Sequence, residues 1–327
     1  MISSSYRLNR PELENPSKLP DREVDQICIC FWNIKNQFMD KRDAYPQYLW
    51  ENRRFSVLEM IEKVDPVVCG LSEFNLPQAQ DLEAHFPDWK LVGFSCHTQE
   101  SIDVTKKRHA EDNSLRYDSF NAILYNPKHA ELQSLECHEL ASGPRHKRIL
   151  VIGKFLDTAT KTHYAVLVSH FDHLSQESRK RSGEIELRFI NQLIGQGYMP
   201  FSIGDKNWFV DAGGEDDSQS YGRNGKICDF RDETQLGHFG AAGTYPKHLD
   251  VPAKFAPPIV DGVIQGPTVD VGFRSRLGIQ ATYSFSLIAE FNPTTQKLLL
   301  PGEKSDVENK NFGSDHTLIG LVFTFDQ

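Results

Sequence analysis

Short apolar runs punctuate this chain, and several of them stop at a polar residue. Gln26–Trp32 (QICICFW) reads as a buried strand ending at Asn33. Arg53–Val64 places Phe55, Leu58, Ile61 and, less regularly, Val64 at helical spacing. Asp65-Pro66 closes that helix, because the residue before proline avoids the α region. Val67–Leu71 is a second buried strand, running into Ser72-Glu73. Leu76–His85 predicts a short helix and Trp89–Phe94 a strand. Phe120–Tyr125 (FNAILY) is a strand closed by the turn signal Asn126-Pro127. Ile149–Leu156 and His163–Ser169 pair around a polar turn. Glu177–Leu193 is a helix with Ile185, Phe189 and Ile190 on its apolar stripe, and Met199–Ile203 is a strand that ends at Gly204-Asp205. Further strands are expected at Ile259–Ile264, Gln280–Ile288 and Leu318–Phe325. Asp211–Asn224 is a polar loop, and Pro293–Gly313 is a long polar excursion.

Composition adds limits. The 327 residues are 39% hydrophobic and 25% charged, which suits one soluble globular domain over residues 25–327 behind a polar, Pro-containing arm over residues 1–24. No apolar run reaches the roughly 18 residues of a membrane span, and the N-terminus lacks the apolar stretch of a secretory signal. Six cysteines show no CxxC pair or zinc spacing, so an intracellular, cytoplasmic setting with reduced thiols is expected. Cys28 and Cys30, two apart on a strand, should share a face. The net charge of −9 argues against broad attraction to nucleic acid or anionic membranes. Three basic clusters remain as local exceptions: Lys106-Lys107-Arg108, Arg145-His146-Lys147-Arg148 and Arg179-Lys180-Arg181.

Chemistry gathers at the strand ends. Glu73 follows an apolar strand and needs a metal or an ion-pair partner, since burying a bare carboxylate is very costly. His170-Phe171-Asp172-His173 follows another; it fits a metal site, a set of phosphate donors or the capped start of a helix. In Gly204-Asp205-Lys206-Asn207 a carboxylate and an amide sit two apart and project to one side if the chain stays extended. Ser314-Asp315-His316 precedes the last strand and supplies a second carboxylate and a candidate acid/base. Hard oxygen ligands with imidazoles are what phosphoester hydrolysis around Mg²⁺ requires.

In order, the segments FWNI, CGLSE, VSHFDH, GDKN, IVDGVI and GSDHTL resemble the motifs of the endonuclease/exonuclease/phosphatase superfamily, and they span residues 27 to about 320. The resemblance implies a four-layer α/β sandwich, a central two-sheet β-sandwich flanked by helices. It implies that Glu73 binds the metal with Asn33 and Asp315 close by. Asp205 would orient or activate the attacking water, and Asn207 would help fix the phosphate. His316 would act as acid/base or phosphate contact, oriented by Asp261, with Asp270 as the rival for that task. His170 would donate to a phosphate oxygen. Asp172, His173, Arg179, Tyr125 and Arg148 (or Arg145) would line the substrate site. The sequence departs from the family pattern at Lys206 and Gly262. Lys206 puts a positive charge beside the site, to bind substrate or to face solvent.

The resemblance implies a Mg²⁺-dependent (Mn²⁺ is the other candidate) phosphoester hydrolase. Nucleic acid or a nucleotide is the favoured substrate, with Trp208, Phe209 and Tyr221 as candidates to stack on bases. A phosphomonoesterase or an inositol-phosphate/phospholipid hydrolase is the alternative, and a non-catalytic binding protein on the same scaffold is a third. A di-zinc site using His170 and His173 is a minor variant. No membrane partner is expected.

Overall fold

The strands of the computed structural model collect into two large mixed sheets that pack face to face. The structure describes residues 22–23, 25–40, 49–109, 118–143, 147–207, 226–230, 234–235, 238–240, 259–260, 263–264, 270–287, 290–291, 298–299, 311–312, 316 and 318–326. Nearly all of the arm expected over residues 1–24 lies outside them.

In chain order the strands begin with β1 (Ile27–Asn33), β2 (Val68–Phe74), β3 (Lys90–Ser95), β4 (Phe120–Tyr125), β5 (Ala130–Glu139), β6 (Ile149–Asp157), β7 (His163–His170) and β8 (Met199–Asp205). Among them run helices α1 (Gln37–Asp40), α2 (Trp50–Val64), α3 (Leu76–His85), α4 (Ile102–His109) and α5 (Gln176–Gly195). Next come β9 (Ile227–Asp229), β10 (His238–Gly240), β11 (Ile259–Val260), β12 (Val263–Ile264), β13 (Asp270–Ser275) and β14 (Ile279–Leu287). Three two-residue strands, β15 (Glu290–Phe291), β16 (Leu298–Leu299) and β17 (Asn311–Phe312), precede β18 (Leu318–Phe325). One sheet has the order β10-β14-β18-β1-β2-β4-β3, the other β5-β6-β7-β8-β13-β9.

The period-two alternation of strand side chains builds the layers. Ile27, Ile29 and Phe31 of β1 meet Val166, Val168, Phe201 and Ile203 of the opposite sheet. The alternate residues Cys28, Cys30 and Trp32 face Val57, Leu58 and Ile61 of α2 and Leu76 and Leu82 of α3. On the far side, Ile190 and Leu193 of α5 cover Ala165, Leu167, Leu150 and Ile152. Each such buried aliphatic contributes about 1.5–3 kcal/mol relative to exposure. The result is four layers: helices, sheet, sheet, helix. All six cysteines are free thiols, and Cys28 and Cys30 do share a face.

Local chemistry sets the helix ends. Asn75 accepts from the Gln78 amide while the Gln78 side chain accepts from the Asn75 amide, a reciprocal cap on α3. Ser175 caps α5 by accepting from Ser178 N at 3.1 Å.

Two expectations change. The segment expected as one strand at Ile259–Ile264 forms the antiparallel pair β11–β12 outside both main sheets. β8, which pairs with β7 on one side, pairs with β13 on the other, with Asp270 opposite Asp205. The edge strand β5 also goes unpredicted, because its side chains are mostly half-buried and its sequence AELQSLECHE lacks an apolar run.

Candidate active site

Parallel pairing brings strand ends together. Asn33 of β1 pairs with Ser72 of β2, and His170 of β7 pairs with Asp205 of β8. The two sheets therefore present their polar termini at one end of the sandwich, and the side chains meet across the gap.

Glu73 enters from the first sheet. The β2–β4 register shifts between Leu71 and Phe74, and Glu73 takes a left-handed φ of 52°. A bulge re-aims a side chain, and a non-glycine residue held in this region is strained. Glu73 Oε1 lies 3.5 Å from His170 Nε2, which lies 3.5 Å from Asp205 Oδ2. Asn33 reaches across from β1: its Nδ2 donates to Asp205 Oδ2 at 3.1 Å and sits 3.3 Å from His316 Nε2. Its Oδ1 accepts from Lys35 N at 3.1 Å, which fixes the orientation of the amide.

His316 is oriented at its other nitrogen, with Nδ1 2.8 Å from Asp270 Oδ2. A carboxylate only accepts, so Nδ1 carries the proton, and Nε2 presents a lone pair to the Asn33 amide in the neutral ring. Trp32 Nε1 donates to the His316 carbonyl at 3.0 Å and pins the backbone. Glu73, His170, Asp205, Asn33, His316 and Asp270 thus form one continuous polar chain across both sheets.

The turn after β8 is built for close approach. A Cβ on Gly204 would lie 2.1 Å from the Ser169 carbonyl oxygen, so β7 and β8 need glycine there. Asn207 adopts φ 49°, a region Asn tolerates better than most residues. Its amide donates to Asp205 Oδ1 at 3.0 Å and its Nδ2 to the Phe171 carbonyl at 3.1 Å. The Ile34–Lys35 segment after β1 is held the same way. Arg53 donates to the Ile34 carbonyl at 2.7 Å and the Lys35 carbonyl at 2.6 Å, and Gln78 adds a bond to the latter at 3.0 Å.

Burial pushes the Asp205 carboxyl up to about 7; Asp270 and Glu73 push the same way, while His316 opposes. Three carboxylates this close call for positive charge. Ligand atoms of Glu73, His170 and Asp205 lie within 4.8 Å of one another, as do those of Asp205, Asp270 and His316. Carboxylates facing an imidazole fit a divalent cation at this end of the sandwich.

Six of the residues expected in the site meet there: Asn33, Glu73, His170, Asp205, Asn207 and His316. Asp315 and Asp261 lie outside the described residues, as do Arg145, Trp208, Phe209 and Tyr221. Among the described residues, Nδ1 of His316 faces Asp270, the rival for the orienting task, on the strand β13 that lies against β8; Asp261, the favoured candidate, lies outside them.

Four residues expected to bind substrate sit elsewhere or do other work. Tyr125 pairs with Val68 at the opposite end of β4, about 17 Å along the strand from Phe120, which pairs with Phe74. There it packs on Phe155. Lys206 is fully buried behind the sheet, 2.7 Å from Glu186 Oε1. Asp172 accepts from the amides of Leu174, Ser175 and Gly143 at 2.7, 2.9 and 2.9 Å. Burial works to raise its carboxyl, and those amides hold it below the ordinary range. Arg179 is buried and donates to the Asp172 carbonyl at 3.1 Å, bracing that loop.

Arg148 and His173 contact each other, and His173 feels the Glu73 charge. Arg148 Nη2 lies 3.1 Å from His173 Nδ1. Burial and the Arg148 charge pull His173 down, while Asp172 and Glu73 oppose. The ring is neutral and accepts at Nδ1, which leaves Nε2–H as a donor.

One residue escaped the sequence reading. Asn121 of β4 donates to the Ile149 carbonyl at 3.0 Å and staples the two sheets near the site. Its signal was a lone amide inside the apolar run FNAILY.

Two of the basic clusters are answered in part by nearby carboxylates. Lys106 pairs with Glu83 at 2.5 Å, Arg108 with Glu100 at 2.5 Å, and Arg181 with Glu177 at 2.7 Å.

No protein-family profile matches the sequence, and no curated protein matches it either. Solved structures match in fold. An endonuclease/exonuclease/phosphatase from Bacteroides vulgatus superposes with a TM-score of 0.69 at 18% identity, covering 92% of this chain and 99% of that one. A mannosyl-6-phosphatase from Bacteroides thetaiotaomicron gives 0.66 at 16% identity, covering 91% and 100%. TDP2 of D. rerio, complexed with a single-strand DNA product, gives 0.58 at 16% identity, covering 91% and 99%. The chain has the α/β sandwich fold of endonuclease/exonuclease/phosphatase proteins. Among the described residues, no helix is long and apolar enough to cross a membrane.

Proposed function

We propose that this chain is a divalent-metal-dependent phosphoester hydrolase working by in-line attack of water. The observation that carries the reading is the Asn33 amide, which bridges Asp205 and His316 while Glu73 and His170 close the other side. Glu73 and Asp205 would hold Mg²⁺ or Mn²⁺, with Asp315 as a further ligand. The cation, when bound, neutralises charge developing on the phosphoryl oxygens. Asp205 would orient or activate the attacking water, and Asn33 keeps that carboxylate aimed. His316, oriented by Asp270, contacts a phosphoryl oxygen or the leaving oxygen, and His170 donates to another oxygen. Asn207 has a second amide hydrogen for the phosphate. Arg148 and His173 lie where the rest of the substrate would enter. A di-zinc site through His173 is disfavoured, since Arg148 occupies its Nδ1. An intracellular setting is part of this proposal.

Two substrate classes stand. A nucleic-acid or nucleotide phosphodiester draws support from the fold shared with TDP2 in its DNA complex. A compact phosphomonoester draws support from the paired basic residues, which leave α4 little net positive field for a long polyanion. A panel of single- and double-stranded DNA, RNA, nucleotides, sugar phosphates, inositol phosphates and phospholipids with Mg²⁺ decides between them. Polymer cleavage that falls steeply with salt supports the first class; release of inorganic phosphate without polymer cleavage supports the second. No turnover of any phosphoester would overturn both.

A further inference from the structure

The turn that carries Asp205 and Asn207 rests on a buried ion pair that the proposed chemistry does not use. Side chains alternate along the end of β8. Phe201, Ile203 and Asp205 project between the sheets, while Ser202 and Lys206 project toward α5. Lys206 and Glu186 are both 0% exposed. Lys206 Nζ donates to the two Glu186 oxygens at 2.7 and 2.8 Å and also to Ser169 Oγ. Ser169 of β7 donates to Glu186 Oε2 at 2.9 Å, and Ser202 of β8 donates to Oε1. The ammonium lies 4.7 Å from the centroid of the Phe171 ring. Three elements, β7, β8 and α5, therefore converge on one side chain of the turn.

Stability alone gives little reason for this arrangement. Taking two charges out of water costs several kcal/mol per ion, and a well-packed uncharged replacement is often neutral or better. What the pair supplies is directional. Five hydrogen bonds centred on Glu186 and Lys206 leave the residue between Asp205 and Asn207 one position. Asn207 holds φ 49°, and a strained conformation persists only where its surroundings over-determine it. On the site side, Phe171 N donates to the Asp205 carbonyl at 2.8 Å and Asn207 Nδ2 to the Phe171 carbonyl at 3.1 Å, so the same turn is gripped from both faces.

We propose that Lys206 and Glu186 are positioning residues: a buried clamp that sets the Asp205–Asn207 turn from behind and so aims both side chains at the phosphoryl group. The assignment of a phosphoryl group rests on the phosphoesterase reading above; the clamp itself does not. Lys206 touches neither substrate nor the reacting atoms.

The test uses the full chain with Glu186→Gln and Lys206→Met together. Gln keeps two heteroatoms for Ser169 and Ser202, and Met keeps the length of Lys206 without a buried charge. Amide hydrogen exchange over residues 171 and 199–207, thermal melting, kcat and KM are measured. The clamp predicts native melting within a few degrees and exchange at Phe171 and Asn207 faster by about tenfold or more. It predicts kcat lower by about tenfold or more with KM within about twofold, because a small misplacement of reacting groups is costly in rate. Glu186→Gln alone leaves the Lys206 ammonium buried opposite a neutral amide, so it melts below the double variant and also loses protection at Phe171 and Asn207. Native exchange and native kcat in the double variant would overturn the clamp. If the parent chain turns over no phosphoester yet exchange at 171 and 205–207 rises in the double variant, the clamp stands and the phosphoesterase reading falls.

Discussion

Replacing Asp270 by Asn changes one atom at the base of the site and tests how His316 is held. The native contact is a 2.8 Å bond from the ring Nδ1 to a buried carboxylate. A hydrogen bond to a charged group contributes about 1.5–3 kcal/mol, and a neutral one about 0.5–1.5. If the new amide turns its oxygen to the ring, only the charge is lost, about 1–1.5 kcal/mol, or roughly tenfold in rate. If the amide nitrogen faces the ring, Nδ1 must become the acceptor and Nε2 the donor. Nε2–H then points at the Asn33 amide 3.3 Å away, donor against donor. That second loss brings the total to about a hundredfold or more. The expected result for Asp270→Asn is therefore kcat lower by between about tenfold and several hundredfold, with KM changed little. Steady-state kinetics on the best substrate measures this, with thermal melting as the control for folding. Asp261→Asn is run in parallel. A native kcat in Asp270→Asn, with the loss appearing in Asp261→Asn instead, would refute the assignment of Asp270 as the orienting carboxylate.

Three other outcomes are expected. Gly204→Ala places a Cβ 2.1 Å from the Ser169 carbonyl, so it should separate β7 from β8 and lower the melting temperature by many degrees; a native melt would contradict the packing described. Tyr125→Phe, at the far end of β4, should leave kcat/KM within about twofold, whereas a large loss would return Tyr125 to the site. The third concerns pH. Asp205 is held at about 7 in the folded chain against an ordinary 3.8, so its contribution favours folding fully below about pH 4 and is lost as pH rises through about 7. The metal-free protein should thus lose stability between about pH 4 and 7 through this group, and Asp205→Asn should flatten that slope in pH-dependent melting curves.

Much of this site is legible in the sequence because its residues end apolar strands. Asn33, Glu73, His170 and Asp205 each close a run that must be buried, and parallel pairing then forces the ends together. What the sequence misplaces depends on direction and partner. Tyr125 ends a strand too, but β4 runs antiparallel to β2, so its end lies at the wrong pole. Lys206 sits between two site residues, and only the alternation along β8, together with Glu186 on α5, shows that it faces away. Asp270 and Asp261 look alike in sequence; Asp270 lies on a strand paired with β8 and faces His316, while Asp261 lies outside the described residues. The loop role of Asp172 rests on amides of Gly143, Leu174 and Ser175, and backbone donors leave no mark in the residue pattern.

The central claim is that carboxylates from both sheets hold a divalent cation where a phosphoester is hydrolysed. The most direct test is turnover of the best panel substrate in chelator and after adding back Mg²⁺, Mn²⁺ or Ca²⁺, for the parent chain, Glu73→Ala and Asp205→Asn. The account predicts that chelation abolishes turnover, that Mg²⁺ or Mn²⁺ restores it better than Ca²⁺, and that each variant loses at least about a hundredfold in kcat while melting as a folded protein. Turnover that persists in excess chelator, or that survives either substitution, would contradict it.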